Sequence, residues 1–130
     1  MAHYLALIHK APDSDYGILF PDFPGCISAG KSFEEAIAMG TEALSVHVEG
    51  MRADHEPIPR PRTLQEIQEA NEDWIDWTGA VIATIPLLPL AGRSVRVNIT
   101  LDERLLAQID ALTSNRSGFL AEAARRVLHP

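Results

Sequence analysis

Hydrophobic and polar positions along the chain change rhythm several times, and each rhythm predicts an element. Tyr4-Leu5-Ala6-Leu7-Ile8-His9 is an apolar run of strand length, closed by the turn cluster Pro12-Asp13-Ser14-Asp15. Tyr16 to Phe20 reads as a second strand that makes a hairpin with the first. Pro21-Asp22-Phe23-Pro24-Gly25 is a loop, because two prolines and a glycine turn the chain away from helix, and Cys26 to Gly30 reads as a third strand. Ser32-Phe33-Glu34-Glu35 matches a capping box, and Phe33, Ile37, Gly40, Leu44, Val48 and Met51 follow at helical spacing as one apolar stripe. Three prolines stiffen residues 56–61 into an extended connector. A second box, Thr63-Leu64-Gln65-Glu66, opens a short helix from Leu64 to about Asn71. Ala80 to Ile85 is almost wholly apolar with β-branched Val81, Ile82 and Ile85, the pattern of a strand covered on both faces. Leu87 to Gly92 closes this part of the chain.

From Arg93 to Leu101 the pattern alternates strictly. Val95, Val97, Ile99 and Leu101 fall on one face of a strand, and Arg96, Asn98 and Thr100 on the other. Asp102 caps a helix whose Leu105, Ile109 and Leu112 share a face. Thr113-Ser114-Asn115 is a turn, and Asn115 caps a second helix from Arg116 to about Leu128, with Phe119, Ala123 and Val127 on its inner side. A lone strand cannot satisfy its own ladder of N–H and C=O groups, and so short a segment buries too little to fold unaided. Antiparallel pairing with the same strand of a second chain solves both problems. It produces a two-stranded ribbon over four helices and places both copies of Arg96, Asn98 and Thr100 on one exposed face. Such a ribbon fits the major groove, where arginine pairs with guanine, asparagine with adenine, and threonine offers a hydroxyl or methyl group. The residues opening the last helix, Asn115, Arg116 and Ser117, would then hold phosphate through backbone N–H groups.

Composition sharpens this division. The chain has 130 residues, 46% hydrophobic and 22% charged, with a formal net charge of −7. That suits one compact domain, or one domain plus a small appendage that needs a partner to fold, and is too apolar for a disordered chain. Residues 1–92 hold five Lys/Arg against fourteen Asp/Glu, whereas residues 93–130 hold six arginines against four acids. The first segment repels nucleic acid and the second does not. Cys26 is a single cysteine, compatible with a reducing compartment, and no basic leader precedes the first apolar run. The expectation is a cytoplasmic, non-membrane protein, since the apolar stretch 79–92 is broken by Thr84, Pro86 and Pro89.

Catalytic chemistry finds little support. Asp22, Asp13, Asp15, Glu34 and Glu35 are candidate carboxylates for a metal-dependent nuclease, yet Glu35 is explained by the capping box and Asp13 and Asp15 by turn chemistry. The five histidines contain no i, i+4 pair, so no metal and no cofactor is expected. Cys26 reads as a small buried hydrophobe without an assignable base. Tyr16, Asp22 and Phe23 are candidates for partner contact; Tyr16 and Phe23 are equally explicable as core.

The strand–helix–turn–helix order, with Val97 to Leu101 and Arg116-Ser117-Gly118-Phe119-Leu120, resembles the ribbon–helix–helix DNA-binding family. Pro21-Asp22-Phe23-Pro24-Gly25-Cys26, followed by Gly30, Ser32 to Ala36 and Glu42-Ala43-Leu44, resembles the HicB antitoxin family, many of whose members carry a C-terminal ribbon–helix–helix domain. The resemblance implies an α+β chain of two domains. Residues 1–92 would form a truncated ribonuclease-H-like β-β-β-α-(α)-β domain that binds a small basic mRNA-cleaving HicA-type toxin. Residues 93–130 would dimerise on a palindromic operator and repress the chain's own operon, with tetramers possible through the N-terminal domains. A ligand-sensing ribbon–helix–helix regulator without a toxin, and a metal-dependent nuclease, are the alternatives.

Overall fold

The computed structural model describes residues 1–90 and 94–130. Backbone packing divides the chain into two compact units, 1–93 and 94–130. The expected boundary at 92/93, the close of the first segment at Ala91 and Gly92, and the strand start at Arg93 lie outside the described residues.

The first unit is a mixed α+β fold. Its antiparallel sheet contains β1 (His3–Lys10), β2 (Tyr16–Leu19), β3 (Ile27–Gly30) and β4 (Val81–Pro86), in the order β3-β2-β1-β4. Hairpin pairing sets Leu7 opposite Leu19 and Lys10 opposite Tyr16, and β4 returns to the other side of β1 with Leu7 opposite Ile82. Side chains alternate across the sheet, so β1 feeds two apolar clusters. Tyr4, Ala6 and Ile8 join Ile18, Phe20, Phe23 and Ile85 beneath Leu44 and Val48 of helix α1 (Phe33–Ala53). Leu7 instead packs with Ile75 and with Ile67 of helix α2 (Leu64–Ala70).

Local signals place both helices as the sequence predicts. Ser32 accepts the Glu35 N–H at 3.0 Å, although the reciprocal bond from the Glu35 side chain is not formed, so this is half of the expected box. The Thr63 box is complete, with Glu66 Oε1 accepting the Thr63 N–H at 3.2 Å, and Asn71 ends α2 in the left-handed conformation (φ 47°). Two glycines admit close packing. A Cβ on Gly30 would overlap the backbone nitrogen of Ala36, and one on Gly40 would lie 2.6 Å from Cδ1 of Ile18.

β4 departs from expectation. It is an edge strand, and Val81 and Ile82 are 50% and 39% exposed, while Ile85 is buried. An apolar run reads the same at the centre and at the edge of a sheet, so coverage on both faces did not follow from composition.

The second unit contains α3 (Glu103–Leu112) and α4 (Arg116–Leu128) at the expected positions, capped by Asp102 and Asn115. Residues 94–101 form no ladder within this single chain, and Val95, Val97 and Ile99 are exposed. Ile109 is buried, but α4 buries nothing: Phe119, Ala123 and Val127, expected on an inner side, are all exposed, Val127 at 80%. One chain alone supplies no second layer for these side chains to pack against.

Candidate functional site

In the first unit the chemistry gathers around the loop after β2. Two backbone bonds, from Phe23 N–H to Phe20 O and from Cys26 N–H to Phe23 O, each 3.0 Å, tighten the loop, and Gly25 takes the positive φ (89°) that the turn requires. This geometry carries Asp22 inward, leaving its side chain 1% exposed. Its carboxylate accepts from Arg62 Nε at 2.6 Å and from the Arg62 backbone N–H at 3.1 Å. The same guanidinium donates to Glu72 Oε1 at 2.7 Å and to the Pro21 carbonyl at 3.1 Å, and Trp74 Nε1 donates to Glu72 Oε2 at 3.0 Å.

The hydrogen bond to Asp22 holds the Arg62 guanidinium above its ordinary pKa, and the bonds from Arg62 and Trp74 hold the Glu72 carboxyl below its own. The arrangement, one guanidinium shared by two carboxylates, fastens the proline-rich connector to the sheet. Tyr4, whose hydroxyl donates to the Pro59 carbonyl at 2.6 Å, fastens it a second time.

Two of the three candidate partner contacts are engaged within the chain. Asp22 is committed to Arg62, and Phe23 lies in the core, edge-on to Tyr4 at 4.7 Å and to His47 at 5.8 Å. Both side chains are buried. Tyr16 is half-buried, packing edge-on against Phe33 with the Lys10 ammonium 5.7 Å from its ring centre. Asp13, Asp15, Glu34 and Glu35 are exposed and do not converge on Asp22; among the described residues no three His, Cys, Asp or Glu side chains gather where a metal could sit. Burial pushes the Cys26 thiol up to about 11, the opposite of an activated nucleophile. Arg62 and Glu72 were missed from sequence. The signal was faint: Arg60 and Arg62 are two of only five cations in the first 92 residues, both beside prolines.

In the second unit Arg96, Asn98 and Thr100 are exposed. A groove of about 1010 Å³ runs between this segment and the helices, lined by Val95, Val97, Ile99, Leu106 and Leu120. At the start of α4, Asn115 Oδ1 accepts the Gly118 N–H at 2.9 Å. Arg116 is bidentate on Asp110, with both contacts at 2.8 Å, which lowers the Asp110 pKa. The side chains of Asn115 and Arg116 are thus occupied inside the chain, while Ser117 is exposed.

The first unit is thus a small α+β fold whose buried carboxylate is paired with arginine, and the second unit carries an uncovered apolar groove. The family profile described as HicB-like antitoxin of bacterial toxin-antitoxin system matches residues 4–124, and the chain belongs to that family. Its members are antitoxins, so the chain is no enzyme. A 14.9 kDa protein from the rep-hol intergenic region of Haemophilus phage HP1 is 34% identical over 129 residues, covering 93% of each chain. The crystal structure of the Burkholderia pseudomallei antitoxin HicB is 32% identical, covers 99% of this chain and 100% of its own, and superposes with a TM-score of 0.59. A chain from the HicA3 and HicB3 toxin-antitoxin complex shares the fold at 24% identity and TM-score 0.53, covering 67% of this chain and 99% of its own. Among the described residues no helix is long and apolar enough to cross a membrane.

Proposed function

We propose that the chain is a cytoplasmic antitoxin that binds and neutralises an mRNA-cleaving HicA-type toxin and represses its own operon. The observation that carries this reading is the family match running through both units, from residue 4 to residue 124. Residues 1–92 are the toxin-binding domain, a truncated ribonuclease-H-like fold, and Tyr16 is the remaining candidate for contact. Fourteen acids against five cations suit a partner whose own surface must hold RNA phosphates. The shared fold with a chain of a solved HicA3–HicB3 complex supports the same partner class.

Residues 93–130 are the ribbon–helix–helix domain. Two copies pair through residues 95–101, covering Val95, Val97 and Ile99 and presenting Arg96, Asn98 and Thr100 to base edges of a palindromic operator. Backbone N–H groups at Arg116 and Ser117, in the turn that Asn115 caps, fix the register on phosphate.

Co-expression with the small open reading frame beside its gene, followed by co-purification and a growth assay, tests the first half. A stable complex that restores growth is expected; a well-folded chain that neither binds nor rescues overturns it. For the second half, Arg96→Ala weakens operator binding by about 1–3 kcal/mol and relaxes one base position in an anisotropy titration. Unchanged affinity and specificity would reject that readout face.

A further inference from the structure

Helix α1 has apolar positions on two sides, and the first unit uses one of them. Ala36, Gly40, Leu44 and Val48 are buried. Glu35, Met39, Glu42, Val46, Glu49 and Ala53 make a second stripe, with successive steps of four, three, four, three and four residues. On an α-helix those steps keep all six within an arc of about 80°. Every one is exposed, Met39 by 42% and Val46 by 55%.

Single apolar side chains are ordinary on a surface. Steps of three and four, however, are those at which one helix meets another lying along it, the side chains of each filling gaps in the other. Along this stripe acidic and apolar positions alternate, and each kind recurs every seven residues. Its carboxylates are also unspent. Asp22, Glu66, Glu72, Asp110 and Glu122 are paired with arginines, whereas among the described residues no cation pairs with Glu35, Glu42 or Glu49. Arg52, the one Lys or Arg of α1, lies seven residues beyond the buried Ser45 and so falls beside the stripe.

This composition selects the occupant. A second copy of the stripe would bring no cation and would leave glutamates unpaired in an apolar contact. Nucleic acid and anionic lipid are repelled by it. A helix with apolar side chains at the same steps, and a lysine or arginine within reach of each glutamate, satisfies both halves of the pattern.

We propose that this face of α1 docks a basic amphipathic helix of the toxin, lying along α1 with the two axes about 8–10 Å apart. This docking rests on the toxin reading above and adds where on the chain the toxin sits. Met39 and Val46 form the apolar centre that slows release, and the three glutamates supply the attraction that speeds capture.

The full-length chain is titrated with the protein encoded by the small open reading frame beside its gene, refolded after separation from the co-purified complex. Glu42→Lys with Glu49→Lys is expected to weaken binding about tenfold or more and to make it less sensitive to salt. Glu56→Lys with Glu69→Lys, exposed acids off the stripe, changes the net charge by the same amount and leaves binding within about twofold. Val46→Asp makes the chain more acidic and nonetheless weakens binding, which general charge attraction would not do. All these positions are exposed, so circular dichroism is unchanged. Equal losses in the two lysine pairs, or undiminished binding by Val46→Asp, would overturn the docking while leaving the toxin reading intact. So would a change in assembly mass of the stripe variants without toxin, since the face would then belong to another copy. An unaltered chain that fails to bind removes the toxin reading and this docking with it.

Discussion

At the scale of single residues, the Asp22–Arg62 pair is the most sensitive point in the first unit. Removing the arginine strands a carboxylate whose side chain is 1% exposed, whereas removing the carboxylate leaves a guanidinium that is 26% exposed and can turn to Glu72 and water. Arg62→Ala should therefore cost about 3–5 kcal/mol and Asp22→Ala about 1–3 kcal/mol, read as urea midpoints at constant slope. The reverse order would show that the Asp22 carboxylate is relieved by water or a proton once the arginine is gone. The thiol of Cys26 gives a pH prediction. Its pKa rises from 9.0 to about 11 on folding, so between those values the unfolded chain binds fewer protons than the folded one. Stability consequently falls as pH rises from about 9 toward 11, and Cys26→Ala flattens that limb of a stability-against-pH curve. Caps such as Ser32, Thr63, Asp102 and Asn115 were legible because a cap is answered within three residues. The partner of Asp22 lies 40 residues away, and nothing local announces it.

At the scale of elements, periodicity located every strand of the first unit and every helix of both to within a residue or two, because each repeats its apolar side at its own period. Sheet order was not legible. β4 joins β1 across most of the unit, and its apolar run could not tell an edge from a centre. The contacts that join elements can be probed at the two close glycines. Gly30→Ala forces a Cβ into the backbone of Ala36, which cannot move without shifting α1. Gly40→Ala meets the end of the Ile18 side chain, which can rotate, and it gains about 1 kcal/mol of helix propensity. A loss of about 1–3 kcal/mol or more at Gly30 and about 0–2 kcal/mol at Gly40 is expected from thermal melts. Equal losses would mean that α1 slides freely on the sheet.

At the scale of the whole molecule, the two units differ in how complete they are. The first has two buried clusters of its own. The second, taken alone, buries Ile109 among its helical side chains and exposes Val95, Val97, Ile99, Leu112 and Val127. Domains of this size seldom fold without a metal, disulfides or association. In the proposed dimer the missing layer is a second copy, and folding of residues 94–130 is then a bimolecular event. Each tenfold rise in chain concentration stabilises that dimer by about 1.4 kcal/mol, and operator DNA stabilises it further by mass action. Calorimetry across a hundredfold concentration range should show a transition that moves upward with concentration. Ile99→Asp, which places a charge on the paired face, should abolish that transition together with operator binding, while spectroscopic probes of Trp74 and Trp77 in the first unit still melt cooperatively. A second-unit transition that stays fixed as concentration changes would mean that residues 94–130 fold without a partner copy, and the groove would then be open to a different occupant.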